Sequence, residues 1–151
     1  MGLLTDLLGD GNGGGTTALL AVKQHRPTTT ASYSTTSTTF ADLDATNLVV
    51  TFTAPASGQV LVRLNAYAAT GASTGLDWNL RDSVGDVANT GTATYSGGSV
   101  EFRRTVTMVV SGLTAGTSYT WKWGHQRESG TGGATTYAGL RFPAVMEIWS
   151  A

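Results

Sequence analysis

Cysteine is absent from the 151 residues. That removes disulfides, thiolate metal centres and cysteine nucleophiles together, and leaves the compartment open. Charge is scarce: Asp, Glu, Lys and Arg make up 13% of the chain, and 9 Lys and Arg against 10 Asp and Glu give a net charge of −1. So balanced a chain carries no electrostatic footprint for nucleic acid or for an anionic membrane. Histidine occurs only at His25 and His125. Without cysteine, a transition-metal site would need both of them plus carboxylates, so no metal and no cofactor is expected. No apolar run is long enough to span a bilayer. The start, MGLLTDLLGDG, lacks the basic segment of a signal peptide and places Asp6 where a myristoylation signal calls for Ser or Thr. The chain contains no P-loop and no glycine-rich dinucleotide turn after a strand.

What is present is Thr, Ser, Gly and Ala in place of Glu and Lys. A surface this poor in charge suits a protein held in an assembly or outside the cell, because a cytosolic monomer leans on charge for solubility. The length fits one compact domain with an arm. Residues 1–15 form that arm and residues 16–151 the domain. In the arm, Leu3, Leu4, Leu7 and Leu8 recur at helical spacing, and Gly11-Asn12-Gly13-Gly14-Gly15 follows as a tether. Two turns of helix do not hold in water alone, so the segment reads either as a disordered terminus or as a docking element that orders on a surface.

Within the domain the dominant signal is alternation of period two, which puts successive side chains on opposite faces of a strand. Leu48, Val50 and Phe52 alternate with Val49, Thr51 and Thr53, and after Ala54-Pro55-Ala56-Ser57-Gly58 the residues Val60, Val62, Leu64 and Ala66 alternate with Leu61, Arg63, Asn65 and Tyr67, which mark the opposite face. Pro55 and Gly58 mark a turn, so the two runs read as adjacent strands sharing one apolar face. Thr17–Gln24 reads as a first strand, and the Ser/Thr run 28–39 as an edge strand or an extended loop. Leu76, Trp78 and Leu80 give another strand, and 82–98 a long loop or weak hairpin.

Val100, Phe102, Val106, Met108 and Val110 share a face with Arg104. A lone inward charge is costly, so a bulge near Arg103 and Arg104 or an interface partner for Arg104 is expected. Tyr119, Trp121, Trp123 and His125 share one face of the next strand. Leu140, Phe142, Ala144, Met146 and Ile148 share a face of the last, where Pro143 calls for an edge or a bulge. About eight strands and no helical crossover give an all-β fold: an antiparallel β-sandwich of jelly-roll type behind a short N-terminal arm.

Chemistry is thinly marked. Asp42-x-Asp44-x-x-Asn47 has oxygens spaced as in a calcium loop but lacks its Gly and distal Glu, so it reads as a turn. Trp121 and Trp123, with Trp78 and Trp149, could stack on sugar rings, and Lys122, His125 and Arg127 could line a groove beside them. The competing reading is that Tyr119, Trp121, Trp123 and Trp149 fill a core or an oligomer interface. No pair of carboxyls can be named for glycoside hydrolysis, and no catalytic residue is expected.

The runs TSTTFADLDATNLVVTFTAPASGQVLVRLNAYA, GLTAGTSYTWKWGHQ and FPAVMEIW resemble a β-sandwich module of tailed-bacteriophage virion proteins, over about residues 18–149. Such modules occur in capsid decoration (cement) proteins and at the ends of minor tail proteins, notably in phages of actinobacteria. The resemblance implies an obligate homo-oligomer, commonly a trimer, without enzymatic activity, and carries no residue-level site. Two expectations follow from it. The first is a decoration protein on the capsid surface that is made in the host cytoplasm and binds the major capsid protein. The alternative is a tail or fibre tip that binds host-surface carbohydrate. A short arm as the only segment ahead of the sandwich favours a unit added in many copies to a shell.

Overall fold

The computed structural model describes residues 17–71, 73–94 and 100–151, with backbone alone at 89–94 and 100. The arm leucines Leu3, Leu4, Leu7 and Leu8 and the glycine tether lie outside the described residues. The elements are β1 (Leu19–His25), β2 (Ala31–Thr35), β3 (Ala41–Asp42), β4 (Val49–Thr53), β5 (Val60–Thr70), β6 (Gly75–Arg81), β7 (Asp86–Thr94), β8 (Val100–Val110), β9 (Ser118–Arg127), β10 (Ala134–Ala138) and β11 (Ala144–Ser150).

The strands form a six-stranded and a five-stranded sheet, with every pairing antiparallel. Strand β5 is the spine of the larger sheet. It pairs with β8 on one side and with β11 and β10 on the other, and β1 and β2 extend the sheet beyond these. In the smaller sheet β9 lies between β6 on one side and β4 and β3 on the other, and β7 closes the edge beyond β6. Taking the eight principal strands in chain order, the first pairs with the last (β1·β11), the second with the seventh (β4·β9), the third with the sixth (β5·β8) and the fourth with the fifth (β6·β7). This is one long antiparallel ribbon folded back on itself. The contacts β11·β5 and β6·β9 roll it into two facing sheets, the jelly roll the alternation predicts.

The core fills the space between the sheets. The larger sheet contributes Val60, Val62, Leu64, Ala66, Met146 and Ile148, and the smaller contributes Phe52, Leu76, Trp78, Leu80, Trp121 and Trp123, all buried. Bulk is divided unequally. Three tryptophans lie on one sheet, and small residues at Ala66, Ala68, Ala134 and Ala138 lie on the other, so the facing layers interdigitate. The Trp78 indole N–H donates across the sandwich to Thr136 Oγ1 at 3.0 Å. A buried indole needs such a partner.

Several expectations are corrected. The runs flanking Pro55 and Gly58 do not pair with each other: β4 joins β9 in one sheet and β5 joins β8, β10 and β11 in the other. The turn carries the chain between sheets, and the two apolar faces meet across the core. Gly58 has φ +64, and a Cβ there would lie 2.6 Å from the Leu113 carbonyl oxygen, so the corner requires glycine.

No bulge interrupts β8, whose register with β5 runs unbroken from Val60↔Val110 to Thr70↔Val100. Arg104 therefore points inward. Its Nη1 donates to the Leu76 carbonyl at 2.6 Å, and the guanidinium sits 5.0 Å from the centre of the Trp78 ring. A backbone oxygen and an aromatic face inside the same chain replace the partner expected from outside.

Residues 86–94, expected in a loop or weak hairpin, are a full strand. The Asp82 carboxylate accepts the backbone N–H of Val84 and Gly85 and tightens the turn that returns the chain along β6. Leu140, expected on the core face, is 49% exposed. Pro143 offers no N–H to a ladder, so β11 starts only at Ala144 and the preceding residues turn, with the Gly139 N–H bonded to the Phe142 carbonyl.

Candidate binding surface

The aromatic row of β9 lies inside the sandwich. Trp121 and Trp123 are buried and Tyr119 is half-buried. Phe52 meets Trp121 edge-on at 4.7 Å and stacks on Tyr119 at 5.9 Å, while Trp78 meets Trp123 edge-on at 4.8 Å. A sugar cannot reach these rings, and the platform built on Trp121, Trp123 and Trp78 does not exist on the surface. Lys122 and His125, expected to line a groove beside it, do not share a face of β9. The Lys122 ammonium binds Asp42 Oδ2 at 2.8 Å on the outer side, whereas His125 is buried. Trp149 lies apart from the row, half-buried on the outer face of the larger sheet.

Two polar clusters tie loops to the sandwich. Asp42 also accepts Arg81 Nη1 at 2.7 Å, and Arg81 Nε donates to Asp86 at 3.0 Å, so charges alternate along the outer face of the smaller sheet. Gly124 lies beneath this network, where a Cβ would stand 2.2 Å from Asn79 Oδ1 and 2.6 Å from Arg81 Cδ. Asp44 is the second centre. Its oxygens accept the backbone N–H of Thr46 and Asn47, the Asn47 amide and the Tyr33 hydroxyl, and His25 Nε2 stands 4.0 Å away. Partial burial pushes the Asp44 carboxyl up, but donation by Asn47, Tyr33 and Thr46 outweighs it and holds the pKa at about 2. Burial beside this carboxylate raises the Tyr33 phenol. Asp42 and Asp44 thus spend their oxygens on separate partners and do not converge on a shared centre.

The outer face of the larger sheet is the surface with unspent chemistry. Registers across β8, β5, β11 and β1 align residues in rows. One row is Val109, Leu61, Trp149 and Leu19, each the cross-strand partner of the next. Val109 is 60% and Leu19 47% exposed, and Val22 on the next row is 53% exposed. The second row is Thr107, Arg63, Glu147 and Val22, in which Arg63 Nη2 lies 2.6 Å from Glu147 Oε2. That same oxygen accepts the Trp149 indole N–H at 3.2 Å.

Further along β5 the face becomes a groove of about 350 Å³ bounded by Arg63, Asn65, Arg103, Thr105, Val145 and Glu147. Arg103 donates to Asn65 Oδ1 through Nε at 3.1 Å and Nη2 at 2.7 Å, and the Asn65 amide donates to Thr105 Oγ1. Beyond Arg103 a second hollow of about 300 Å³ is formed by Tyr67, Tyr137, Phe142, Thr30 and Glu101. Tyr67 stacks on Phe142 at 5.2 Å and tilts against Tyr137 at 6.3 Å.

Of the residues in this hollow, the alternation in sequence marks Tyr67 as outward-facing. Tyr137 escapes notice because it is more than sixty positions away along the chain, and the register Tyr137↔Tyr67 alone brings it beside Tyr67. Phe142, expected on the core face of the last strand, instead stacks on Tyr67 in this outer hollow. Val49, Leu61 and Val145, also marked as outward-facing, are half-buried.

No family model matches the chain, and no curated protein matches it. Among solved structures it is similar to the enzymatically active domain of bacteriophage CBA120 tailspike protein 4, at 11% identity and a TM-score of 0.28 over 78% of this chain and 19% of that one. It is also similar to the VP2 subviral particle of infectious bursal disease virus, at 11% identity and a TM-score of 0.25 over 99% of this chain and 44% of that one. The chain thus spans less than half the length of either neighbour.

Proposed function

We propose that this chain is a non-enzymatic structural protein of a tailed-phage virion, a capsid decoration protein that binds the outer surface of the major capsid lattice as a homotrimer. The observation that carries the proposal is the cross-strand row Val109, Leu61, Trp149 and Leu19, an apolar stripe on the outside of a sheet whose inside is already satisfied by the core. An antiparallel sheet needs only one apolar face to fold, so a second apolar stripe calls for another protein surface. The resemblance of the three sequence runs to virion modules supplies the kind of assembly. In this reading the stripe joins copies to one another, and Leu3, Leu4, Leu7 and Leu8 dock on the major capsid protein.

Two features support a structural role over a fibre tip that presents Trp121 and Trp123 to sugar. Those rings serve the core, and the charges Asp42, Arg81, Lys122 and Asp86 on the outer face of the smaller sheet are paired with one another within the chain. The test is the copy number per particle, from quantitative mass spectrometry of purified virions. Hundreds of copies are expected, and a handful per particle would place the chain in the tail and overturn the reading.

A further inference from the structure

We propose that the outer face of the six-stranded sheet holds a cleft for a short neutral oligosaccharide, running from the hollow of Tyr67, Tyr137 and Phe142 to the groove of Asn65, Arg103 and Glu147. This goes beyond the structural role above and does not rest on it. The cleft joins two neighbouring hollows that share no lining residue: Tyr67 of one and Arg103 of the other are cross-strand partners, so the aromatic end adjoins the polar end. From Arg63 to Tyr67 along β5 it extends roughly 13 Å.

The chemistry selects the class of ligand. At one end, Tyr67 is held by stacking on Phe142, so an aromatic surface is set before any ligand arrives. Such a surface takes the C–H face of a pyranose. At the other end the polar groups are fixed by one another. Asn65 Oδ1 anchors Arg103 through two donors, which leaves Nη1 for a ligand. Glu147 spends Oε2 on Arg63 and Trp149, which leaves Oε1 as an acceptor. Donors and acceptors in fixed, planar groups match adjacent hydroxyls.

Charge decides between a neutral and an ionic ligand. Arg63 and Arg103 are offset by Glu101 and Glu147 along the same cleft, so a polyanion or a polycation finds no net field to favour it. Tyr67 stands six residues from Leu61 along β5, about 20 Å. The aromatic end therefore stays clear when a protein covers the apolar row, while Arg63 and Glu147 at the polar end border that row.

The experiment is a titration of the full chain with maltotriose, cellotriose, chitotriose and mannotriose at millimolar concentration, followed by amide proton–nitrogen NMR. At least one trisaccharide should give saturable shifts confined to residues 63–67, 101–105 and 137–142. Tyr67→Ala and Arg103→Gln should each weaken that binding roughly tenfold or more. Val84→Ser, on the distant turn before β7 where Val84 is 94% exposed, should leave it unchanged. Arg103 is exposed on an outer strand, so Arg103→Gln keeps the fold and reports on binding even if Tyr67→Ala does not fold. Absence of saturable shifts with all four sugars overturns the proposal, as do shifts centred on Leu61 and Val109 or wild-type affinity in both variants. None of these results alters the copy number in the virion, so the two readings fail separately.

Discussion

Trp121 shows how a residue that looks available in sequence is consumed by the fold. Its neighbours Lys122 and Thr120 point outward, and it points inward against Phe52, 1% exposed. Truncation to alanine leaves a cavity the two sheets cannot close, at a cost of about 3–5 kcal/mol. In a domain of this size that lowers the melting temperature by about 10 °C, readable by circular dichroism. A Trp121→Ala protein that melts with the wild type would contradict the burial.

His125 is the other residue with a measurable signature. Burial lowers its pKa from 6.5 to about 4. Between those values the unfolded chain binds a proton that the folded chain refuses, so stability falls as pH drops from 6.5 toward 4 and is unaffected by this group above 6.5. The loss reaches at most about 3 kcal/mol. Asp44 acts in a different window. Its folded pKa lies below the ordinary value of 3.8, so its contribution is present above 3.8 and disappears as pH falls toward 2. Denaturant midpoints measured from pH 7 to 4 should therefore slope downward in the wild type and flatten in His125→Phe. An unchanged slope in the variant would assign the acid sensitivity elsewhere.

At the scale of elements, a strand is legible when one face is buried and the other wet, because alternation then records the difference. Runs 48–52, 60–66 and 119–123 meet that condition and their inward residues are identified from sequence. In 76–80 Asp77 and Asn79 are buried as well, so the alternation there records polarity between two buried faces. Strand β7 carries no such signal in sequence: at the edge beyond β6, Asp86 and Val87 are followed only by Ala, Asn, Thr and Gly, which do not alternate, and cross-strand pairing makes it a strand. The error at Pro55 and Gly58 has a related cause: periodicity reports which face is apolar and is silent on which strand lies alongside. Arg104 differs again, because its partners, the Leu76 carbonyl and the Trp78 ring, belong to the facing sheet. The outer cleft is illegible for the same reason, since Tyr67 meets Tyr137 only through register and Phe142 only through the turn before β11.

The arm is the element whose role rests on sequence alone. Two turns of helix do not hold in water alone, so docking of these leucines would carry an entropic cost offset by burial of apolar surface. Removing residues 1–15 should leave a domain that melts like the full chain and no longer binds particles in a sedimentation assay. Truncated protein that decorates particles as well as the full chain would remove the arm from the mechanism.

At the scale of the whole molecule, the two faces of the larger sheet do different work. Inside, Val62, Leu64 and Ile148 are fully buried, while outside, Leu61 and Trp149 remain partly open in a single chain, flanked by Val109 and Leu19. The row crosses four strands at about 4.8 Å spacing, or roughly 15 Å. That is too little for a stable interface of about 800 Å² per partner, but it has the size and apolar character of an interface centre. Thr107, Arg63 and Glu147 alongside it supply a polar rim. Val109 is the place to break such a contact, because it is 60% exposed on β8 and its side chain takes no part in the core. Light scattering at micromolar concentration should report three times the chain mass for the wild type and the single-chain mass for Val109→Glu, with the variant's secondary structure intact. A wild-type chain that is monomeric both in solution and on the particle would show that the row is idle, and the homotrimer would have to be abandoned.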